Sequence, residues 1–129
     1  IGSTDLVVET NDLQRAFTIK EIEYNQIPEG SRLLANYPNP FNPETWMPFE
    51  IDYQSEVVIT IYDISGKPVR TIDIGFQHAG LYTSRTRAVY WDGKSDLGEQ
   101  VASGIYFYSI SAENSKSPFS ATRRMVILK

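Results

Sequence analysis

Cysteine is absent from the 129 residues. That excludes disulfides, thiolate metal sites and a cysteine nucleophile, while leaving the redox compartment open. Histidine occurs once, at His78. A second histidine to help hold zinc is therefore missing, and a serine–histidine–acid triad would have to use this residue. His78 sits in Gly75-Phe-Gln-His-Ala-Gly80, a glycine-bounded turn, and turns sit at the surface. No G-x-S-x-G elbow presents a serine and no glycine-rich loop cradles a phosphate. Sixteen acidic residues are available for two-carboxylate glycosidase chemistry, but no spacing singles out a pair. The expectation is a protein that is not an enzyme and has no cofactor or metal. No apolar run approaches the roughly 20 residues that span a bilayer, so no transmembrane helix is expected. No basic-then-apolar signal opens the chain, and its start at Ile1 reads as part of a longer protein.

Charge is small in sum and uneven in placement. Twelve Lys and Arg against sixteen Asp and Glu give −4. Residues 1–30 carry six acids, from Asp5 to Glu29, against Arg15 and Lys20, which accounts for all of it; residues 31–129 balance at ten and ten. The larger part therefore lacks the basic excess of a nucleic-acid binder. A composition step coincides with the charge step, at Ile27-Pro28-Glu29-Gly30-Ser31. We expect an acidic N-terminal segment and linker over 1–30 and a globular domain over 31–129. Within the first, Phe17 and Ile19 alternate with Thr18 and Lys20, which favours a short strand in Arg15 to Tyr24. That strand is either an added edge strand or the tail of an upstream domain.

After the junction, short alternating strands are divided by turn residues. Thr45, Met47, Phe49 and Ile51 share one face of a first strand, and Val57, Ile59 and Ile61 one face of a second. The second ends at Asp63-Ile64-Ser65-Gly66, where glycine accommodates positive φ. Val69 to Ile74 reads as a third strand stopped by Gly75, and Ala88 to Trp91 as a fourth running into Asp92-Gly93. Ile105 to Ala112 and Arg123 to Leu128 are the fifth and sixth. The apolar content of both faces in these last two means strands covered on both sides or aromatics lying against neighbouring side chains, which suits a central position better than an edge. With the early strand this makes about seven, the number of an all-β, immunoglobulin-like antiparallel sandwich.

Four stretches carry a resemblance: LANYPNPFNP (34–43), IYDISGKPVR (61–70), VYWDG (89–93) and ASGIYFY (102–108), with MVILK at the end. In this order they resemble the C-terminal sorting-type domains of secreted bacterial proteins, especially those of the type IX secretion system. The central stretch is similar to the immunoglobulin-like domain of the flagellar hook-capping protein. The resemblance implies a secreted or cell-surface bacterial module for sorting or attachment that works by protein–protein recognition. Its partners would be secretion or surface-attachment machinery, or other domains of the same chain. A structural assembly module like the hook-capping domain is the alternative. One departure from the pattern stands out. Sequences of the resembled kind commonly pass from Ala-Gly directly into the tryptophan strand, whereas here Leu81 to Arg87 (LYTSRTR) intervenes, with Arg85 and Arg87.

Each motif also has a reading from its own chemistry. The prolines of 34–43 fix φ and push their predecessors into extended geometry, making a rigid lead-in whose Phe41 can plug the core. Asp92, Asp96 and Glu99 miss the calcium-loop spacing and read as hairpin acids facing water. Arg85 and Arg87 suit an anionic glycan or lipid head group, or a solvated loop. Trp46, Tyr53, Tyr82 and Tyr90 would make a carbohydrate platform if exposed and coplanar. Arg123, Arg124 and Lys129 put bases at both ends of the last strand, a possible recognition surface for a receptor.

Overall fold

The computed structural model describes residues 27–129. The strand expected in Arg15 to Tyr24, and most of the acidic segment, lie outside the described residues. Within them are nine strands and no helix: β1 (Arg32–Leu33), β2 (Thr45–Met47), β3 (Phe49–Ile51), β4 (Ser55–Tyr62), β5 (Pro68–Gln77), β6 (Gly80–Tyr82), β7 (Val89–Trp91), β8 (Gly104–Glu113) and β9 (Phe119–Ile127). All named pairings are antiparallel. One layer is a four-stranded sheet in the order β5-β4-β8-β9; the other consists of β1-β3-β6 and β2-β7. The fold is an immunoglobulin-like β-sandwich, as the strand pattern predicts.

Alternation builds the core. Val57, Ile59 and Ile61 of β4, Tyr106, Tyr108, Ile110 and Ala112 of β8, and Met125 and Ile127 of β9 all point inward from the four-stranded sheet. They meet Met47, Phe49, Ile51, Val89 and Trp91 from the second layer, with Phe41 filling one end. Burying each such side chain contributes roughly 1.5–3 kcal/mol. Tyr82 and Tyr106 each donate a hydroxyl hydrogen bond to the carbonyl four residues upstream, His78 and Ala102, at 2.6 and 2.8 Å, pinning a loop to its strand.

Three expectations are corrected. The first strand is two strands, because Pro48 has no N–H to give the ladder. β2 pairs with β7 and β3 with β1 and β6, while the Pro48 carbonyl accepts from Leu34 N–H at 3.0 Å. The third strand runs through Gly75 to Gln77: Val57 faces Gly75 and Val58 faces Asp73, so the glycine, at φ +73°, marks a bulge and not an end. β8 is central, as its sequence suggested, but only one face of it is core, and Ile105 on the other face is 36% exposed; β9, also expected to be central, is instead the edge of the four-stranded sheet, its fully buried side chains confined to Met125 and Ile127. β6 had no counterpart in the sequence pattern.

Candidate functional site

The extra connection Leu81 to Arg87 decides the surface chemistry of the second layer. Arg87 and Ala88 N–H both donate to the Ser84 carbonyl, at 2.9 and 2.7 Å, and the Ser84 and Thr86 hydroxyls bond at 3.0 Å. This turn folds Arg85 back over the sheet. Beneath it lies a row of rings set by register. Tyr37 and Trp46 exchange backbone hydrogen bonds at 2.9 and 2.8 Å, and Trp46 pairs with Tyr90 across β2–β7. Tyr37 and Trp46 stack with centroids 6.3 Å apart and planes at 18°; Trp46 and Tyr90 are 5.4 Å apart and tilted. The Arg85 guanidinium lies 4.3 Å from the Trp46 ring centre.

The rim of this row is fixed by hydrogen bonds. Tyr37 donates its hydroxyl to the Thr83 carbonyl at 2.6 Å, and Tyr90 donates to Glu44 Oε1 at 2.7 Å. The Glu44 bond, joined by a small desolvation cost, holds the Tyr90 phenol above its ordinary value. Arg87 turns the other way, its guanidinium 4.5 Å from the Tyr82 ring centre. It borders a groove of about 590 Å³ between β5 and the β6–β7 segment, floored by Ile72, Ile74 and Val89.

The other residues singled out in the sequence are placed as follows. Of the four proposed platform aromatics only Trp46 and Tyr90 are neighbours. Tyr82 is buried in stacking on Phe49 at 4.7 Å, and Tyr53 lies under Lys116. No coplanar four-ring platform exists. Arg123 and Arg124 alternate on β9 and leave opposite faces of the sheet. Arg123 reaches the Leu33 carbonyl at 3.3 Å, Arg124 faces Phe107, and Lys129 contacts Gln100 Oε1 at 3.3 Å. The three bases do not share one face. Asp92 and Asp96 flank Arg70 at 3.6 and 3.7 Å, and Asp96 also accepts Thr71 N–H. Among the described residues no three His, Cys, Asp or Glu converge as metal ligands. His78 is exposed, its ring edge-on to Phe76.

Trp91 and Phe41 prove structural. Trp91 is fully buried, its indole N–H donates to the Lys94 carbonyl at 2.9 Å, and its ring packs on Phe41 at 5.7 Å and Tyr106 at 6.1 Å. In the turn after it, a Cβ on Gly93 would stand 2.6 Å from the Pro43 carbonyl oxygen. The sequence therefore needs glycine there, and the lead-in and the turn lock together. Arg85, Trp46 and Tyr90 were each noticed in the sequence, but Tyr37 and Glu44 were not. The register Tyr37–Trp46–Tyr90 that unites them depends on two pairings, Tyr37 with Trp46 and Trp46 with the distant Tyr90.

Comparison with known proteins fits this architecture. The described fold resembles that of dimeric latent PorU from Porphyromonas gingivalis, with a TM-score of 0.62 at 17% identity over 76% of this chain and 9% of that one. It also resembles FlgD from P. aeruginosa, with a TM-score of 0.55 at 18% identity over 78% of this chain and 70% of that one. Both likenesses speak to the fold. In sequence, the basal-body rod modification protein FlgD of Salmonella typhimurium is 39% identical over 70 residues, 52% of this chain. That of Escherichia coli is 38% identical over 73 residues, 54% of this chain. The chain spans 28–29% of the length of these curated relatives. The FlgD Ig-like domain model matches residues 48–116, which run from the start of β3 to just past β8 and take in β4 and most of the core. That is more than half of the chain, which thus belongs to the FlgD Ig-like domain family.

Proposed function

We propose that this chain is a non-catalytic structural assembly module of a bacterial protein that works outside the cytoplasm, binding neighbouring protein subunits in the manner of the hook-capping domain. The observation that carries this reading is the family match over 48–116, together with 39% identity to a basal-body rod modification protein. The surface chemistry supports its non-catalytic part. The one histidine lies exposed against Phe76, and Asp92 and Asp96 are engaged by Arg70 and by the Lys94 and Thr71 backbone amides. Type IX sorting is the second reading. It is favoured by the order of the motifs in 34–43, 61–70, 89–93 and 102–108.

One experiment separates the two. The whole chain is fused behind a folded periplasmic reporter in a host with type IX machinery. The assembly reading expects the fusion to stay periplasmic, folded and intact while a native cargo of that host is exported. Delivery of the fusion to the cell surface or medium would overturn it in favour of sorting.

A further inference from the structure

We infer that the Arg85–Trp46 stack, flanked by Tyr37 and Tyr90, is a docking surface for a carboxylate-bearing segment of a partner protein. The inference rests on the assembly reading and names the partner chemistry that such a module would use.

Charge complementarity points to this occupant. Arg32 is paired with Glu50, and Arg70 with Asp92 and Asp96. Arg85, Arg87, Arg123 and Arg124 have no carboxylate partner among the described residues, and of these only Arg85 lies over the exposed ring row. Arg85 is nevertheless not loose. Its flat guanidinium rests on Trp46, an interaction through the ring face that spends none of its five N–H donors. Stacking thus presents the donor fork to solvent, oriented before any ligand arrives, and a carboxylate is the group that such a fork engages with two parallel hydrogen bonds. Glu44, at the rim of the ring row, is occupied by the Tyr90 hydroxyl.

The surroundings suit a protein segment better than a sugar. Trp, Tyr and Arg are the residues that dominate binding energy in protein interfaces. Tyr90 is 46% exposed, while its hydroxyl and that of Tyr37 are fixed to Glu44 and Thr83, so the rings are rigid anchors. A pyranose ring would need the open face of Trp46, and Arg85 already covers it at 4.3 Å. Tyr37 and Trp46 lie outside the family-matched residues 48–116, whereas Arg85 and Tyr90 lie within them.

The test uses the intact chain and a phage-displayed random-peptide library selected on it. Recovered peptides are then titrated by nuclear magnetic resonance, following the two indole N–H signals. The expected result is enrichment of Asp and Glu next to apolar residues, with the Trp46 indole moving and the buried Trp91 indole still. Binding should weaken as salt rises. Arg85→Ala should weaken it about tenfold or more, and Arg85→Lys, which keeps the charge and loses the flat fork, should fail to restore it. Arg85 is exposed, so both variants should keep the wild-type melting temperature. Neutral peptides, or acidic peptides bound equally by Arg85→Ala, would overturn the inference. So would capture of oligogalacturonate in place of peptide, or self-association abolished by Arg85→Glu. If Glu21→Gln with Glu23→Gln moves the Trp46 signal as Arg85→Ala does, the occupant is the chain's own acidic segment and the inference fails. The selection reads the surface on the isolated chain, so it can fail while the assembly reading stands. The reporter fusion can likewise fail while peptide binding stands.

Discussion

Tyr108 joins the two layers through a single oxygen. Its hydroxyl donates to the Leu34 carbonyl at 2.7 Å and accepts Asn36 N–H at 2.9 Å, while its ring is fully buried. Burial pushes the phenol above its ordinary value, outweighing the Asn36 bond and the nearby Arg123. A tyrosine whose folded value is raised favours the neutral form, so its contribution is complete below the unfolded value of about 10 and is lost as pH climbs through the folded one. Stability should therefore begin to fall near pH 10 and continue downward above it. Tyr108→Phe should remove part of that alkaline slope. At neutral pH it should cost about 1–3 kcal/mol, because Asn36 N–H is left buried without its acceptor. Urea melts of both proteins across the alkaline range check the sign; a variant with an unchanged slope would show that Tyr108 does not titrate with unfolding.

The 34–43 segment acts as an element although it contains almost no regular strand. Phe41 N–H donates to the Val126 carbonyl and Leu128 N–H to the Phe41 carbonyl, both at 3.0 Å, so the segment runs parallel beside the end of β9. Phe41 then plugs the core against Trp91. Phe41→Ala and Trp91→Ala should each cost roughly 3–5 kcal/mol. The double variant should cost less than their sum, because the ring contact is lost once. A denaturation shift below about 1 kcal/mol for Trp91→Ala would contradict its place in the core. The sequence announced Phe41 as the ring carried by a proline-fixed lead-in, and Trp91 because it closes the Val89/Trp91 apolar alternation beside turn residues. Alternation likewise announced β4, β8 and most of β5, because strands of 8–10 residues show their period. Elements of two or three residues, such as β1 and β6, are too short to show one. The break at Pro48 was visible as a proline but its consequence was not, because which ladder loses an N–H depends on pairing with distant strands. Gly75 misled for a related reason. Glycine serves a turn and a bulge equally well, and only the register against β4 tells them apart. The ring row of the candidate site was hidden on the same grounds, being assembled by register from three separate stretches.

Seen whole, the sandwich is lopsided. The four-stranded sheet has strands of 8–10 residues, whereas the facing layer is stitched from pieces of two or three, interrupted by Pro48 and by the 83–88 turn. Isolated pairings of that length are marginal in water. The second layer therefore persists because Met47, Phe49, Ile51 and Trp91 are buried on the first, and the first is covered by them in turn. Neither layer should survive without the other, so unfolding should be one cooperative transition. The two tryptophans make this measurable. Trp91 sits between the layers and Trp46 on the outer face of β2–β7, where its ring is only partly covered. Trp46→Phe leaves a reporter in the shared core, and Trp91→Phe leaves one on the outer surface of the weaker layer. Each variant changes the overall stability, so the comparison is made within each protein between its fluorescence and its far-ultraviolet circular dichroism. In both, the two signals should give the same urea midpoint and the same slope. A Trp46 signal that is lost at lower urea than the circular dichroism would mean that the β2–β7 ribbon, which carries the Arg85 stack, opens on its own.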